Sequence, residues 1–218
     1  MAKLYFFYGA MNSGKSTRIL QCAYNYEEQG MKPIIMKPGI DTKGNDKIVS
    51  RIGASRKVDY LINPDENIYD TIVERYTNID LIIIDEAQFL SETQVNQLMD
   101  IVLDLNVPVM CYGLRTDFKG NAFPGSRRLL DIAHELTEIK TICECGKKAM
   151  FNIRLIDGKV QTEGDSVAID GVGKVEYTVG CPRCFRLKTH TNFRDMIKPV
   201  EEETDEVEKP KVMCKKRK

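Results

Sequence analysis

Residues Gly9, Ala10, Met11, Asn12, Ser13, Gly14, Lys15 and Ser16 read G-x-x-x-x-G-K-S without a mismatch, and that spacing has a chemical use. Glycines let the main chain close around a phosphate. The amides that open the following helix point at the anion, and the helix dipole favours negative charge there. Lys15 is placed to reach β and γ phosphates, and the Ser16 hydroxyl to bind Mg²⁺. A second constellation is Asp85 and Glu86, directly after the apolar run Leu81-Ile82-Ile83-Ile84. A carboxylate at the carboxyl end of a buried strand lies beside such a loop and orients Mg²⁺. Successive strand-end side chains diverge, which frees Glu86 to activate a nucleophile: water in an ATPase, a substrate hydroxyl in a kinase.

A third constellation is Cys143-Glu144-Cys145 with Cys181-Pro182-Arg183-Cys184. Four thiolates in two tight pairs suit tetrahedral zinc, and a four-cysteine set leaves no open position, so the metal is expected to be structural. Gly146 allows the tight turn after the first pair. Seven cysteines is an odd number, and no secretion signal opens the chain, so a disulfide framework is a poor reading. Cys22 and Cys111 are expected as buried free thiols. His134 and His190 are not needed as ligands.

These residues need a scaffold. The run 3–8 (KLYFFY) reads as a buried first strand, followed by the glycine-rich turn and a helix over about 17–29, with Gly30 placed for a left-handed cap. Strands are expected at 33–37, 81–84 and 107–112. The spacing of Ile68, Ile72, Val73 and Tyr76 predicts a helix over 66–76. Ser91 with Gln94 is a capping-box signature opening a helix to about Leu105. A further helix is predicted over 126–136. Strands alternating with helices argue for an α/β fold with a parallel sheet. From Cys143 the pattern changes to short β-like runs at 150–156, 160–163, 167–169 and 175–179, separated by turns at Asp157-Gly158 and 171–173. The chain thus divides into a nucleotide-binding α/β domain (1–141), a zinc-bearing β lobe (142–195) and a charged tail (196–218) expected to be disordered.

Composition narrows the function classes. Of 218 residues 42% are apolar, and the formal net charge is zero. A uniformly basic surface, the footprint of a general nucleic-acid binder, is therefore not indicated. No run of 18 or more apolar residues occurs, so no membrane span is expected, and the chain reads as cytoplasmic.

The motifs G-A-M-N-S-G-K-S, D-E-A-Q-F (85–89), Y-G-L-R-T-D-F (112–118), F-P-G-S-R-R (123–128) and C-E-C-G-K-K-A (143–149), with Tyr177, Cys181 and Cys184, resemble those of the type II thymidine kinases in order and spacing. That family is tetrameric and joins a P-loop domain to a zinc-containing lasso. The resemblance covers about residues 1–195. It implies a parallel-sheet P-loop (RecA-like) NTPase core with a small zinc-ribbon-like β lobe, and an enzyme that passes the γ-phosphate of ATP to the 5′-hydroxyl of thymidine or deoxyuridine for DNA-precursor salvage. ATP, Mg²⁺ and structural Zn²⁺ are the implied cofactors, thymidine the partner, and a homotetramer the implied assembly, with no membrane or direct nucleic-acid partner. Glu86 would be the general base. The nucleotide would lie on residues 9–16, Asp85, Glu86, Ala87 and Gln88. Met11, Phe89, Leu114, Phe118, Phe123, Asn152, Val167 and Tyr177 would line the nucleoside pocket, with main-chain groups of 167–177 reading the thymine edge. Lys43 stands where relatives often carry Arg, with Arg51 placed to share its work. Asn152 falls where some relatives place a Thr near the thymine methyl. The rival reading, a P-loop ATPase acting with nucleic acid, would normally need a second motor domain.

Overall fold

The computed structural model describes residues 1–39, 46–166 and 174–194. In chain order it runs β1 (Leu4–Tyr8), α1 (Lys15–Glu28), β2 (Pro33–Pro38), β3 (Lys47–Val49), β4 (Ser55–Lys57), β5 (Tyr60–Ile62), α2 (Ile68–Arg75) and β6 (Leu81–Ile84). A 3₁₀ turn at Ala87–Phe89 leads to α3 (Glu92–Asp104), β7 (Val109–Gly113), α4 (Pro124–Ile132) and β8 (Glu135–Glu138). There follow β9 (Thr141–Ile142), β10 (Lys148–Ala149), β11 (Phe151–Ile156), β12 (Lys159–Gln161), β13 (Val175–Gly180) and α5 (Pro182–Thr189). The expected strand at 167–169, Lys43, Cys214 and the tail lie outside the described residues.

Six strands form one parallel sheet in the order β5-β2-β6-β7-β1-β8. Strand period sets its two faces. Ile82 and Ile84 of β6 join Leu4, Phe6, Ile34, Met36 and Val109 in a core covered by α2, α3 and α4. Leu81 and Ile83, one residue out of phase, join Ile35 and Tyr112 in a second core beneath α1 and the β3–β4 hairpin. All four residues of β6 are buried, the mark of a strand covered on both faces. The order inserts β7 between β1 and β6, so the chain ends of three adjacent strands converge on one edge: residue 9 onward, Asp85 onward, and Leu114 onward. The crevice outside the carboxyl ends of parallel strands is where open α/β sheets bind ligands.

Local signals account for the helix ends. The Ser91 hydroxyl accepts the Gln94 amide, and the Gln94 side chain accepts the Ser91 amide, both at 3.1 Å. Asn67 caps α2 by accepting the amides of Tyr69 and Asp70. Gly30 has φ 72°, the left-handed turn that ends α1. One prediction fails. The helix expected over 126–136 stops at Ile132, and 135–138 is a parallel edge strand beside β1. The His134 amide donates to Leu4 O at 2.9 Å, and the Leu4 amide donates to His134 Nδ1 at 3.1 Å. That pairing with a strand 130 residues earlier overrides local helical spacing.

The remaining elements form a small lobe. β9 and β10 pair antiparallel, and β12-β11-β13 make a three-stranded antiparallel sheet. Asp157 and Gly158 both take positive φ, so they close the β11–β12 hairpin with the turn that suits right-handed strand twist. The sequence also left α5 unread. It starts at Pro182, whose fixed φ and missing amide suit a first helical position.

Candidate active site

The loop after β1 is held from behind by the sheet. Gly9 N–H donates to Gly113 O at 3.2 Å, and Ile139 N–H to Tyr8 O at 2.7 Å. A β-carbon on Gly9 would stand 2.5 Å from Ile139 O and 2.7 Å from Ser13 Oγ, so no larger residue fits there. α1 begins at Lys15, aiming its free amides into the loop. Lys15 is buried, and its ammonium donates to Ala10 O at 3.0 Å. Ser13 Oγ is buried with no hydrogen-bond partner among the described residues. A cradle too close for a side chain, a buried ammonium and an orphaned hydroxyl fit a phosphate chain.

Asp85 follows β6 and is buried; its Oδ1 accepts the Glu86 amide at 2.9 Å. Burial first, and the Glu86 charge second, push its carboxyl up to about 7, against the opposing Glu86 amide, Lys37 and Lys15. Burial likewise holds the Lys15 ammonium below its ordinary range, while Glu86 and Asp85 pull it back. Desolvation leads both shifts and penalises the charged form of each group. A cation beside Asp85 and an anion beside Lys15 would offset that penalty, which is what a metal–phosphate ligand supplies.

Glu86 has φ 51° and ψ 37°, a left-handed conformation that costs a non-glycine residue roughly 1–2 kcal/mol. The following 3₁₀ turn and Gln88 hold it there. Gln88 Nε2 donates to Glu86 Oε2 at 2.6 Å, and Gln88 Oε1 accepts the Leu114 amide at 3.0 Å. Gly113 makes room for this: a β-carbon there would lie 2.8 Å from Gln88 Oε1. Ala87 and Gln88 were expected at the nucleotide. Both are buried and line neither cavity described below, and the Gln88 amide is taken up by Glu86 and Leu114.

Two cavities meet at this edge. One, of about 410 Å³, is lined by Met11, Asn12, Ser13, Gly14, Lys15, Ser16, Thr17, Val49, Ser50, Arg51, Ile52, Glu86 and Leu114. The other, of about 180 Å³, is lined by Met11, Phe89, Leu114, Asp117, Phe118, Phe123, Asn152, Ser166 and Tyr177. Met11 and Leu114 are common to both. Of the residues expected at the nucleoside, Val167 lies outside the described residues, and the others line the second cavity together. Phe89 and Phe123 meet edge to face at 5.6 Å. Sequence reasoning missed three supports. Asp117 Oδ1 accepts the amides of Lys119 and Asn121, and its Oδ2 accepts the Ser166 hydroxyl. The Arg154 guanidinium is buried 3.5 Å over the Phe118 ring and donates to Asp165 O. Lys119 Nζ donates to Gly164 O at 3.0 Å. Only the Asp117 turn left a local signal, an Asp two residues before its amide donor.

The sulfurs of Cys143, Cys145, Cys181 and Cys184 lie within 4.8 Å of one another. Tetrahedral zinc with bonds of about 2.3 Å would place sulfurs about 3.8 Å apart. The Cys145 and Cys181 sulfurs are 3.6 Å apart. The Gly146 amide turns back to Cys143 O at 2.8 Å, and Cys181 stands directly before the first residue of α5. The Cys145 amide leads in pulling the Cys143 thiol down to about 6, while the neighbouring sulfurs push Cys184 up to about 12. Such a cluster cannot ionise fully without a cation, and four soft donors suit zinc. Of the other thiols, Cys111 is buried and Cys22 half-buried, 3.8 Å from Met110 Sδ.

A parallel sheet with this phosphate cradle, an acidic strand end and an adjoining aromatic cavity defines a P-loop enzyme of the nucleotide-dependent phosphotransfer class. The chain belongs to the thymidine kinase family, whose model matches residues 2–185. It is 49% identical over 202 residues to a thymidine kinase of Rhodopirellula baltica, covering 90% of this chain and 94% of that one. Against a thymidine kinase of Shewanella oneidensis it is 46% identical over 189 residues, covering 85% and 97%. A thymidine kinase of Legionella pneumophila (strain Lens) is 49% identical over 176 residues, covering 78% and 84%. Among the described residues no helix is long and apolar enough to cross a membrane.

Proposed function

We propose that the chain is an ATP:thymidine 5′-phosphotransferase, with the triphosphate in the larger cavity and the nucleoside in the smaller. The observation that carries this reading is the shared wall. Met11 and Leu114 border both cavities, and Glu86 faces the phosphate side beside that wall. A hydroxyl entering from the aromatic cavity would meet the phosphate cavity there.

Glu86 takes the proton of the 5′-hydroxyl as the nucleoside oxygen bonds to the γ-phosphorus. The bond from that phosphorus to the bridging oxygen breaks, and ADP leaves with the electron pair. Gln88 holds the carboxylate in place from behind. Lys15 and the loop amides balance charge on the transferring group. Ser16 and Asp85 would hold Mg²⁺, a hard cation that suits hydroxyl and carboxylate oxygens and neutralises phosphate charge when bound. Zinc at the four cysteines is structural. The homotetramer and a cytoplasmic site of action belong to the same proposal.

The test is kcat/KM for thymidine, deoxyuridine and deoxycytidine at saturating ATP and Mg²⁺, with Glu86→Gln and a single-stranded DNA arm in parallel. Main-chain groups set for the thymine edge leave buried polar atoms unpaired against cytosine, at about 1–3 kcal/mol each. Two such mismatches reject deoxycytidine by roughly 10²-fold or more. Losing only the methyl costs about 1–3 kcal/mol. Glu86→Gln should lower kcat by roughly 10²–10⁴-fold with modest change in nucleotide binding. ATP turnover stimulated by DNA and indifferent to thymidine would sink the proposal.

A further inference from the structure

The geometry points to Asn152 as a positioning residue that couples the phosphate loop to the nucleoside cavity, and not as a reader of the base's 5-position. Asn152 sits on β11 opposite Val179, only 3% exposed. Its Oδ1 accepts the Met11 amide at 2.7 Å, and its Nδ2 donates to Thr116 O at 3.1 Å. Both partners are main-chain groups, one in the phosphate loop and one in the segment after β7. They are 141 and 36 residues away in sequence. Because one partner is a donor and the other an acceptor, the carboxamide has a single orientation that satisfies both.

Those two partners sit where the cavities touch. Met11 lines both, and Thr116 lies two residues after Leu114, the other shared wall. Leu114 is itself fixed, its amide on Gln88 and its carbonyl on the Ser126 hydroxyl. One side chain from the cysteine-bearing lobe therefore clamps two core segments across the boundary between donor and acceptor sites. One donor and one acceptor of the carboxamide are held by these main-chain groups, so its orientation is set by the protein and not by a base. A ligand that settles the phosphate loop thereby settles the nucleoside wall, and the reverse holds by linkage.

The inference rests on the phosphotransfer reading for its ligands, but one readout does not. Hydrogen exchange at the Met11 amide should accelerate in Asn152→Leu and Asn152→Thr and stay slow in Asn152→Asp, which keeps the acceptor; unchanged protection in Asn152→Leu would overturn the clamp whatever the enzyme's substrate. Binding of a non-hydrolysable ATP analogue should tighten about fivefold or more with thymidine present in the wild type, and this factor should collapse towards one in Asn152→Asp, where an oxygen faces Thr116 O. kcat/KM for thymidine should fall about 10- to 100-fold in that variant, with the thymidine-to-deoxyuridine preference kept within about twofold of wild type, well inside one methyl's worth of discrimination. A several-fold change in that preference with the coupling factor intact would overturn the inference in favour of base reading. A lower melting temperature with unchanged coupling would reduce Asn152 to a fold-stabilising residue and overturn it as well. Asn152→Thr, a smaller polar side chain, guards against loss of folding and should lose part of the coupling.

Discussion

Asp85→Asn should flatten the pH dependence of stability of the ligand-free protein. The carboxyl is buried at the end of β6 and raised from 3.8 to about 7, by burial first and by Glu86 second. Below about pH 4 the group is protonated in folded and unfolded chains alike and contributes nothing. Between about pH 4 and 7 the folded chain keeps a proton that the unfolded chain has released, so raising the pH favours unfolding. Above about pH 7 both states are ionised and the full cost is present. A shift of about three units at 1.36 kcal/mol each amounts to about 4 kcal/mol, a large share of a typical stability of about 5–15 kcal/mol. Between pH 5 and pH 8 about 3 kcal/mol of it should appear. The assay is urea unfolding of wild type and variant across that range at fixed ionic strength, compared through midpoints at common slope. Mg²⁺ with ATP should stabilise the wild type more at pH 8 than at pH 5, because a bound cation favours the carboxylate. If the variant loses stability with pH as steeply as the wild type, Asp85 is not the buried neutral acid described above.

Two further outcomes follow from the same geometry. Gln88→Met removes the donor to Glu86 and the acceptor of the Leu114 amide; it should cost about 1–3 kcal/mol of stability and lower kcat about tenfold or more while leaving ATP affinity near wild type, and an unchanged kcat in a folded variant would refute the positioning role. Metal analysis should find one zinc per chain, and stripping it should open 141–190 to protease while 1–138 stays resistant, since zinc-binding free energy is folding free energy there; unchanged resistance in that lobe would count against a structural metal.

The sequence exposes what is local. The phosphate loop, Asp85 with Glu86, the Ser91 capping box and the paired cysteines each fit within a few residues, and their chemistry fixes their spacing. What escaped is non-local. β8 is a strand because residues 135–138 pair with β1, although their own pattern continues a helix. Pro182 was a legible helix start, but the C-x-x-C spacing around it drew the reading to metal alone. Gln88 is expected at the nucleotide, and nothing nearby in sequence tells that its amide reaches Leu114, 26 residues on. No periodicity announces that Arg154 lies over Phe118, or that Asn152 reaches back to Met11.

Those hidden contacts share a form that explains how the two cavities stay aligned. Gln88, Asn152, Ser126 and Asp117 each make hydrogen bonds to main-chain groups of the segments around the two cavities. A buried main-chain group left without its partner would cost about 1–3 kcal/mol, so each of these side chains holds a loop more firmly than apolar packing alone. The strained Glu86 backbone needs such restraint, because roughly 1–2 kcal/mol would be released by relaxing out of the left-handed region. Its carboxylate is tied to Gln88, Gln88 to Leu114, Leu114 to Ser126, and Thr116 through Asn152 to Met11. These are two sets of bonds, one starting at the proposed base and one ending in the phosphate loop, joined by the short covalent stretch 114–116 along the wall of the aromatic cavity. In the proposed function these polar side chains would set substrate position through the main chain they hold, so exchanging one of them should change rate and coupling more than base preference.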